Sequence, residues 1–334
     1  MKSLPLAIAV FGVAVMVALV AYFGAGAVVG SLLAIGVPGF AAICVIHLGL
    51  TAVMGLAWWS LLPGAPPGWV MWARLVRDSG AEALPLSQVG GYVLGGRAVS
   101  LGGVSGTRAA ASTIVDVTLE FMAQLAYTAL GLAWLVRLQP ETEVAVPVLI
   151  GLGVAVMAAI AFVVAQRRGL NYIDRIARIL GEGWVEKTAA GAAALHAALA
   201  DIYARRGGLW ASFCLHLICW IASAIEIWLA LHLAGQPLSF GAVLAIESLL
   251  YAIRTAAFVV PQAVGVQEGA YILLGAGFGL TPEMSLALSL LKRARDLTIG
   301  LPAIGVWQFI ESGRVWRRRK AQLQVAAIKM RSRD

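Results

Sequence analysis

Long, continuous apolar runs separated by short polar stretches make up most of the chain. Their lengths approach the ~20 residues that a helix needs to cross a ~30 Å hydrocarbon core. Apolar and polar positions do not alternate along these runs, so helices rather than barrel strands are expected to satisfy the backbone inside lipid. Spanning helices are predicted at 38–61, 110–136, 143–165, 209–234, 239–259 and 284–310.

The first apolar run, residues 4–23, follows Lys2 and precedes a stretch of small residues at 24–27. This order also fits a secretory signal peptide with its cleavage region. The apolar run is longer than the usual core of such a peptide, however. We therefore favour a retained first transmembrane helix.

Two further segments are apolar but rich in glycine, which weakens a helix interior. One is 84–106, which contains GGYVLGGRAVSLGG, and the other is 263–280, which contains GVQEGAYILLGAGFG. Each carries a charge at the predicted membrane depth, Arg97 in the first and Glu268 in the second. Both segments are therefore predicted to be broken or re-entrant.

Basic residues decide how these segments run, because cytoplasmic loops carry an excess of lysine and arginine. The stretches expected in the cytoplasm are Lys2, Arg74, Arg77, 166–168, 205–206 and 317–320. An even number of crossings must separate any two of these stretches if all of them lie in the cytoplasm. Segment 84–106 must therefore enter and leave on the cytoplasmic side, and segment 263–280 must make a net crossing. The sequence thus predicts about eight crossings plus one re-entrant element, with both termini cytoplasmic.

Composition supports this fold class and excludes a soluble globule. The 334 residues are 60% hydrophobic and only 13% charged, whereas soluble domains carry roughly 25% charged residues. The net charge of +8 is explained by membrane orientation, so no nucleic-acid partner is expected. The predicted fold is an all-α, polytopic transmembrane helix bundle in a bacterial inner membrane.

One membrane domain accounts for most of the chain. We expect it to cover residues 1–320 and to be followed by a basic cytoplasmic tail at 321–334. The one long polar insertion, 167–207, is expected in the cytoplasm, and within it Leu170, Ile173 and Ile176 recur at helical spacing. This pattern is typical of an amphipathic helix on the membrane surface, and a solvated helix packed on the bundle fits equally well.

Charged residues inside the apolar runs are the candidates for function, because each costs ~2.5–3.5 kcal/mol at the bilayer centre even on the mildest scale. The candidate substrate-binding residues are Arg97, Asp116, Glu120, Glu226, Glu247, Arg254, Gln267, Glu268, Lys292, Arg293, Arg295 and Asp296. Structural ion pairs, such as Arg254 with Glu268 or Lys292 with Asp296, are one explanation. The large number of charged residues favours a second explanation, a polar cavity that accepts a lipid headgroup.

A structural break is predicted inside 263–280 and just before it. Pro261 lacks an amide donor, and Gly265 and Gly269 permit sharp turns. A helix interrupted there exposes its free N–H and C=O groups to the contents of the cavity.

Nothing in the sequence indicates a catalytic centre, a metal site or a cofactor. The motifs typical of hydrolases, zinc proteases, P-loop NTPases and dinucleotide-binding proteins are absent from it. His47 and His216 lie in apolar runs without suitably spaced metal ligands. We therefore interpret both histidines as core or interface residues.

Three stretches of the sequence carry a family resemblance. They are residues 111–121 (ASTIVDVTLEF), residues 256–271 around Pro261 and Glu268, and residues 288–296 (LSLLKRARD). The chain resembles flippase-like membrane proteins related to the transmembrane domain of lysylphosphatidylglycerol synthase, and among these the branch associated with hopanoid biosynthesis. The resemblance covers nearly the whole chain.

The resemblance implies a bundle of roughly eight helices with re-entrant elements that moves lipid between leaflets. The implied substrate is a hopanoid or phospholipid, and the implied partners are proteins of hopanoid biosynthesis or lipid export; the chain could also form a homodimer. The sequence ends in a short basic tail, so synthase activity is not expected. Two alternatives stay open: an intramembrane lipid-modifying enzyme that uses Asp116 and Glu120, and a non-catalytic scaffold for hopanoid enzymes.

Overall fold

The computed structural model describes residues 25–82, 88–140, 145–168, 182–257 and 260–331, with Val17, Ala21 and Tyr22. Helices account for 89% of the structure and its described residues contain no strand, which confirms the predicted all-α fold class. In chain order the α-helices are α1 (Ala25–Trp59), α2 (Pro67–Glu82), α3 (Gln88–Leu101), α4 (Gly106–Leu138), α5 (Ala145–Arg168), α6 (Glu182–Ala204), α7 (Arg206–Leu233), α8 (Phe240–Ala256), α9 (Val266–Ala276) and α10 (Pro282–Arg331).

Four of the described helices are long and apolar enough to cross a membrane: α1, α4, α5 and α7. They match the predicted spans at 38–61, 110–136, 143–165 and 209–234. The predicted span at 4–23 lies almost wholly outside the described residues. The predicted amphipathic stretch that starts at Leu170 falls in the gap before α6, and it too lies outside them.

Helices α2 and α3 form an antiparallel pair that we call hairpin 1. At its open end the indole N–H of Trp69 donates to the Ala98 carbonyl at 2.8 Å. Further along, Gly91 packs so closely on α2 that a Cβ atom would lie 2.6 Å from the Arg77 carbonyl oxygen. The arms are ~24 and ~21 Å long at 1.5 Å per residue, so neither crosses a ~30 Å core. Hairpin 1 therefore enters the membrane and returns to the same face.

This arrangement refines the predicted re-entrant element. The glycine-rich segment 84–106 does not form the whole element but only its returning arm, α3. The entering arm is α2, which the sequence places in a cytoplasmic loop because of Arg74 and Arg77. The tip of hairpin 1, residues 83–87, lies outside the described part of the chain.

Helices α8 and α9, joined by a short 3₁₀ turn at Pro261–Ala263, form the second pair, hairpin 2. Its two ends meet the end of α4: Gly241 packs on the Trp134 ring, and the Gln139 side-chain amide donates to the Gly277 carbonyl. With 11 residues, α9 is only ~17 Å long, too short to cross. Hairpin 2 therefore also returns to the face from which it entered.

The sequence assigned a full crossing to each of 239–259 and 263–280, whereas the structure shows them as the two arms of hairpin 2. The predicted count of about eight thus includes two half-crossings. The face at which the next helix starts is unchanged, because two crossings and one re-entrant hairpin both return the chain to its starting face. This is why the basic residues alone could not distinguish the two arrangements.

The order crossing helix, hairpin, crossing helix occurs twice, as α1–hairpin 1–α4 and as α7–hairpin 2–α10. We count α10 as a crossing helix by its length of 50 residues, although it is not among the four most apolar helices. The two units run in opposite directions. The Ser60 hydroxyl at the end of α1 donates to the Gly208 carbonyl at the start of α7, at 3.0 Å. The hairpins consequently enter from opposite faces, which we name the Arg205 face (hairpin 1) and the Gln139 face (hairpin 2). Such inverted repeats are a common basis of transporter folds.

Two large apolar cores lie one toward each face, beside a third, small cluster of Val28, Leu286 and Ala287. Polar residues lie around the junction of the two large cores. Helix α4 passes through both: Val115 and Leu119 belong to the core at the Arg205 face, and Tyr127 and Leu132 to the core at the Gln139 face. The cores hold the bundle together and leave the middle of the membrane to charged side chains.

We predict that Gly131→Ala destabilises the protein. A Cβ atom at Gly131 would lie 1.5 Å from the Ser248 hydroxyl oxygen, and overpacking of this kind costs about 1–3 kcal/mol. The measurement is the thermal midpoint of unfolding in detergent. Gly153→Ala is the matched control, because nothing lies within 4 Å of that position.

The double variant Gly131→Ala/Ser248→Gly should recover most of the loss, since it removes the Ser248 side chain that the new methyl group would overlap. Equal midpoints for the two single alanine variants would contradict the close packing of these helices.

Candidate functional site

Charged residues of α2 and α4 form the first part of the site. Ser105 caps α4 by accepting a hydrogen bond from the Arg108 amide at 3.3 Å. From this start, Asp116 and Glu120 fall four residues apart and share one helical face.

Two arginines of α2 bind both of these carboxylates. Arg77 donates to Asp116 Oδ2 at 2.5 Å and also to Glu120, and Arg74 donates to Glu120 Oε1 at 2.6 Å. Each arginine side chain is only 3% exposed and that of Asp116 is fully buried. We name this group the Arg74 cluster, with the members Arg74, Arg77, Asp78, Asp116, Glu120 and His216.

His216 of α7 closes the cluster, with Nε2 3.0 Å from Asp116 Oδ1. Ligating atoms of Asp116, Glu120 and His216 lie within 4.8 Å of one another, a spacing that a metal ion could use. The guanidinium groups of Arg74 and Arg77 already bind these carboxylates and supply the positive charge that a metal would bring. We therefore assign the three residues to an ion-pair cluster rather than to a metal centre.

A second buried group joins α8, α9 and α10. Lys292 Nζ donates to Glu247 Oε2 at 2.7 Å, and the Tyr271 hydroxyl donates to the other carboxylate oxygen. The ammonium group also lies 4.5 Å from the centre of the Tyr251 ring, where a cation is attracted by the ring face.

Arg295 extends this group to α1 and α7. It binds Glu226 of α7 and donates to Asp296 Oδ1 at 2.7 Å, while His47 Nδ1 lies 3.0 Å from Glu226 Oε1. We name the whole set the Lys292 cluster, with the members His47, Glu226, Glu247, Tyr251, Tyr271, Lys292, Arg295 and Asp296.

The turn of hairpin 2 is strained. Gln262 and Ala263 have φ values of +53° and +47°, and Gly265 has φ +83°. Only Gly265 adopts this left-handed conformation without cost; each of the other two stores about 1–3 kcal/mol. Pro261 begins the turn, whereas Gly269 lies within α9.

Glu268 fixes the chain just after this turn. Its carboxylate accepts the Gly265 amide at 2.7 Å, the Ser289 hydroxyl at 2.9 Å and Arg293 Nε at 2.8 Å. Gln267 donates to the same Ser289 hydroxyl at 2.8 Å. A carboxylate at the N-terminus of α9 is also favoured by the helix dipole.

The tips of the two hairpins meet. Arg254, near the end of α8, donates to both carboxylate oxygens of Glu82 at the end of α2, at 3.0 and 3.1 Å. A small cleft of about 60 Å³ opens beside this pair. Its lining residues are Glu82, Arg254, Gln262, Gln267, Arg293, Asp296 and Leu297.

Charge in the cleft is balanced and within reach of a ligand. Two cations, Arg254 and Arg293, and two anions, Glu82 and Asp296, line the cleft. The lining therefore offers both hydrogen-bond donors and acceptors, and its charges sum to zero. Each arginine is also paired to a carboxylate. Such a lining suits hydroxyls, or a group with both signs of charge, better than a lone anion.

The structure brings most of the sequence-predicted site residues into the two clusters and the cleft. Glu268 lies next to the cleft through its pair with Arg293. Arg97 lies apart from all of these: it is 43% exposed and donates to Glu311 at 2.6 Å, away from the hairpin tips. The example pairs proposed from sequence, Arg254 with Glu268 and Lys292 with Asp296, are wrong. Their observed partners are Glu82 for Arg254, Arg293 for Glu268, Glu247 for Lys292 and Arg295 for Asp296.

Sequence reasoning missed three important charged residues, Arg74, Arg77 and Glu82. It interpreted the arginines as loop cations, whereas the structure buries both. A signal was available: Arg74, Arg77 and Gly80 occur at i, i+3 and i+6, which places them near one face of a helix.

Comparison with known proteins gives one finding. A family model described as "Lysylphosphatidylglycerol synthase TM region" matches residues 6–303. No curated protein and no solved structure gives a significant match.

We predict that Arg77→Gln and Asp116→Asn each destabilise the protein strongly. Removal of one partner leaves the other charge buried without full compensation, which costs about 3–5 kcal/mol. Thermal unfolding in detergent measures the loss.

The double variant Arg77→Gln/Asp116→Asn should lose less than the sum of the two, because its buried charges are removed together. Arg97→Gln serves as control, since an exposed pair contributes at most about 1 kcal/mol. Additive losses would show that the two side chains do not interact.

Proposed function

We propose a function from the premise that the chain belongs to the family of the lysylphosphatidylglycerol synthase transmembrane region: this multi-pass membrane protein moves a polar-headed lipid between the two leaflets. Family membership supports a lipid-related function. The meeting of two oppositely directed hairpin tips beside a charged cleft supports movement of a headgroup in particular.

The physical problem in lipid translocation is the headgroup, because its polar atoms lose their hydration in the hydrocarbon core. The cleft offers replacement partners at the middle of the bundle, where Arg254, Arg293 and Asp296 line it. The apolar tail can remain in lipid throughout. A headgroup that exchanges water for these side chains meets a lower barrier than one that crosses pure hydrocarbon.

The balanced charge of the cleft is compatible with the hydroxylated headgroup of a hopanoid-related lipid, which is the substrate we favour. A phospholipid is the other candidate. Proteins of hopanoid biosynthesis or lipid export are the partners that would deliver or receive such a lipid.

The alternative of an intramembrane enzyme is less well supported by the geometry. Asp116 and Glu120, the carboxylates that would act in acid–base chemistry, are both bound by Arg74 and Arg77. Neither lines the cleft. Lipid analysis of a deletion strain separates the two functions, because an enzyme's loss removes a lipid species whereas a translocase's loss displaces it.

We predict that Glu268→Gln and Arg293→Ala slow lipid translocation in proteoliposomes by about tenfold or more, the effect of ~1.4 kcal/mol on a barrier. Each change removes a charge from the pair that holds the turn of hairpin 2 beside the cleft. The probes are fluorescent phosphatidylglycerol and a fluorescent bacteriohopanepolyol. Translocation is measured as the fraction of probe that a membrane-impermeant quencher reaches.

The control is Arg97→Gln, which alters an exposed arginine outside both clusters. All variants should elute as folded protein with thermal midpoints above the assay temperature. Equal rates for wild type, Glu268→Gln and Arg293→Ala with both probes would refute the cleft as the headgroup site.

For orientation, we predict that the Arg205 face lies in the cytoplasm of the bacterium and that the chain resides in the inner membrane. Arg97, Arg205 and Arg314 lie near this face, whereas the Gln139 face carries Arg137 and Glu283. Cysteines introduced at Gly64 and at Gly279 should therefore react with an impermeant thiol reagent from opposite sides of right-side-out vesicles. Labelling of Gly64→Cys from outside would reverse the orientation.

A further inference from the structure

Each hairpin rests on the crossing helix that follows it through charged side chains. Hairpin 1 contacts α4 through Arg74 and Arg77 against Asp116 and Glu120. We call this contact seam 1. Hairpin 2 contacts α10 through Glu247 against Lys292 and Glu268 against Arg293, and this is seam 2. Both hairpins are therefore held to their neighbours by charged contacts in addition to apolar packing.

The two seams occupy equivalent positions in the inverted repeat. Arg74 and Glu247 are each seven residues after the first residue of their hairpin's entering helix, Pro67 and Phe240. Each faces the crossing helix that follows. The sign of the charges is exchanged: the hairpin carries the cations in seam 1 and the carboxylates in seam 2.

The same equivalence extends to the crossing helices. Asp116 and Glu120 are 10 and 14 residues after Gly106, the first residue of α4, and Lys292 and Asp296 are 10 and 14 residues after Pro282, the first residue of α10. The cluster of one half therefore corresponds in position to the cluster of the other half.

The cleft borders seam 2, because all of its lining residues except Glu82 belong to the second half of the chain. In seam 1, Asp116 is fully buried and Glu120 is 14% exposed. Two buried polar atoms there, Arg77 Nε and His216 Nδ1, have no hydrogen-bond partner among the described residues. These two nitrogens give seam 1 hydrogen-bonding capacity beyond its ion pairs.

A polar seam can open at moderate cost. Separation of an apolar interface exposes hydrocarbon to water, whereas separated ions regain the hydration that they lost on burial. Glycines help, because hairpin 1 presents a smooth surface: Gly96 lies beside Thr113 of α4 without a side chain between them. Hydration of the separated ions therefore offsets part of the cost of opening a seam, and the apolar contacts beside the seam set the rest of that cost.

We propose that seam 1 is a second headgroup subsite, lined by Arg77, Asp116 and Glu120, which forms when hairpin 1 separates from α4. This inference rests on the proposed function: a headgroup accepted at the cleft is passed to the subsite as hairpin 2 closes and hairpin 1 opens. The ligand chemistry is that of the cleft, a group with hydroxyl or mixed-charge character.

Disulfides that lock each hairpin test this proposal, in a background with Cys44, Cys214 and Cys219 replaced by alanine. Gly96→Cys/Thr113→Cys joins hairpin 1 to α4, since a Cβ at Gly96 lies 3.3 Å from Thr113 Oγ1. Gly275→Cys/Ser285→Cys joins hairpin 2 to α10 in the same way, with 2.6 Å between the Cβ and Ser285 Oγ.

The matched control joins the two arms of hairpin 1 and leaves it free to move as a unit. In Gly80→Cys/Leu94→Cys the Cβ atoms lie 3.7 Å apart, which a disulfide accepts. The probe is fluorescent phosphatidylglycerol or bacteriohopanepolyol in proteoliposomes. Oxidation should slow translocation about tenfold or more in both locked variants but not in the control, and a reductant should restore it.

The outcomes separate the two proposals. Translocation by wild type together with full activity of oxidised Gly96→Cys/Thr113→Cys would overturn the second subsite and leave the proposed function standing. Absence of translocation by wild type with both probes would overturn the proposed function instead.

Thiol labelling then tests the opening of seam 1 without any substrate. Thr113→Cys, buried beneath hairpin 1, should react with an impermeant thiol reagent much faster than Leu249→Cys, which is also buried but in an apolar core. Equally slow reaction of the two would show that seam 1 stays closed.

Discussion

The pairing of charges at the middle of the bundle is the constraint on which the other features depend. An unpaired ion in a medium of low dielectric constant is penalised by of order 20 kcal/mol in the idealised limit. Each helix that carries a charge to this depth must therefore lie where another helix supplies the opposite one. Arg74 and Arg77 of α2 therefore reach Asp116 and Glu120 of α4, and Arg295 of α10 reaches Glu226 of α7.

Because of this constraint, apolar and polar side chains have different roles in the bundle. The two apolar cores, one toward each face, hold the bundle together. The polar layer at their junction contributes less net stability, because burial of ions costs nearly as much as their attraction returns. The side chains of this polar layer can exchange their contacts with one another for contacts with a ligand or with water. The strained turn at Gln262 and Ala263 lies beside the cleft, which Gln262 lines, and such strain is typical of functional sites.

The sequence predicts the local features of this architecture and not the pairing. The spanning helices follow from run length, and Gly265 from the preference of glycine for positive φ. The partners do not follow, because Arg254 and Glu82 are 172 positions apart and any of several carboxylates could have met the arginine. Arg74 and Arg77 were misjudged because a basic pair near a polar loop has the same local pattern whether it faces water or a buried carboxylate. Charge parity could not reveal hairpin 2, since a hairpin and two crossings leave the chain on the same side.

Charged residues at helix ends lie where the two halves meet. Arg254 lies in the last turn of α8 and Glu268 in the first turn of α9, and each is favoured there by the dipole of its own helix. Glu82, the last described residue of α2, is bound across the gap between the hairpins by Arg254 of hairpin 2. The two halves also pack on each other along α1 with α7 and along α4 with α8. The ion pair is therefore the contact between the hairpin tips, added to the helix packing that joins the two halves.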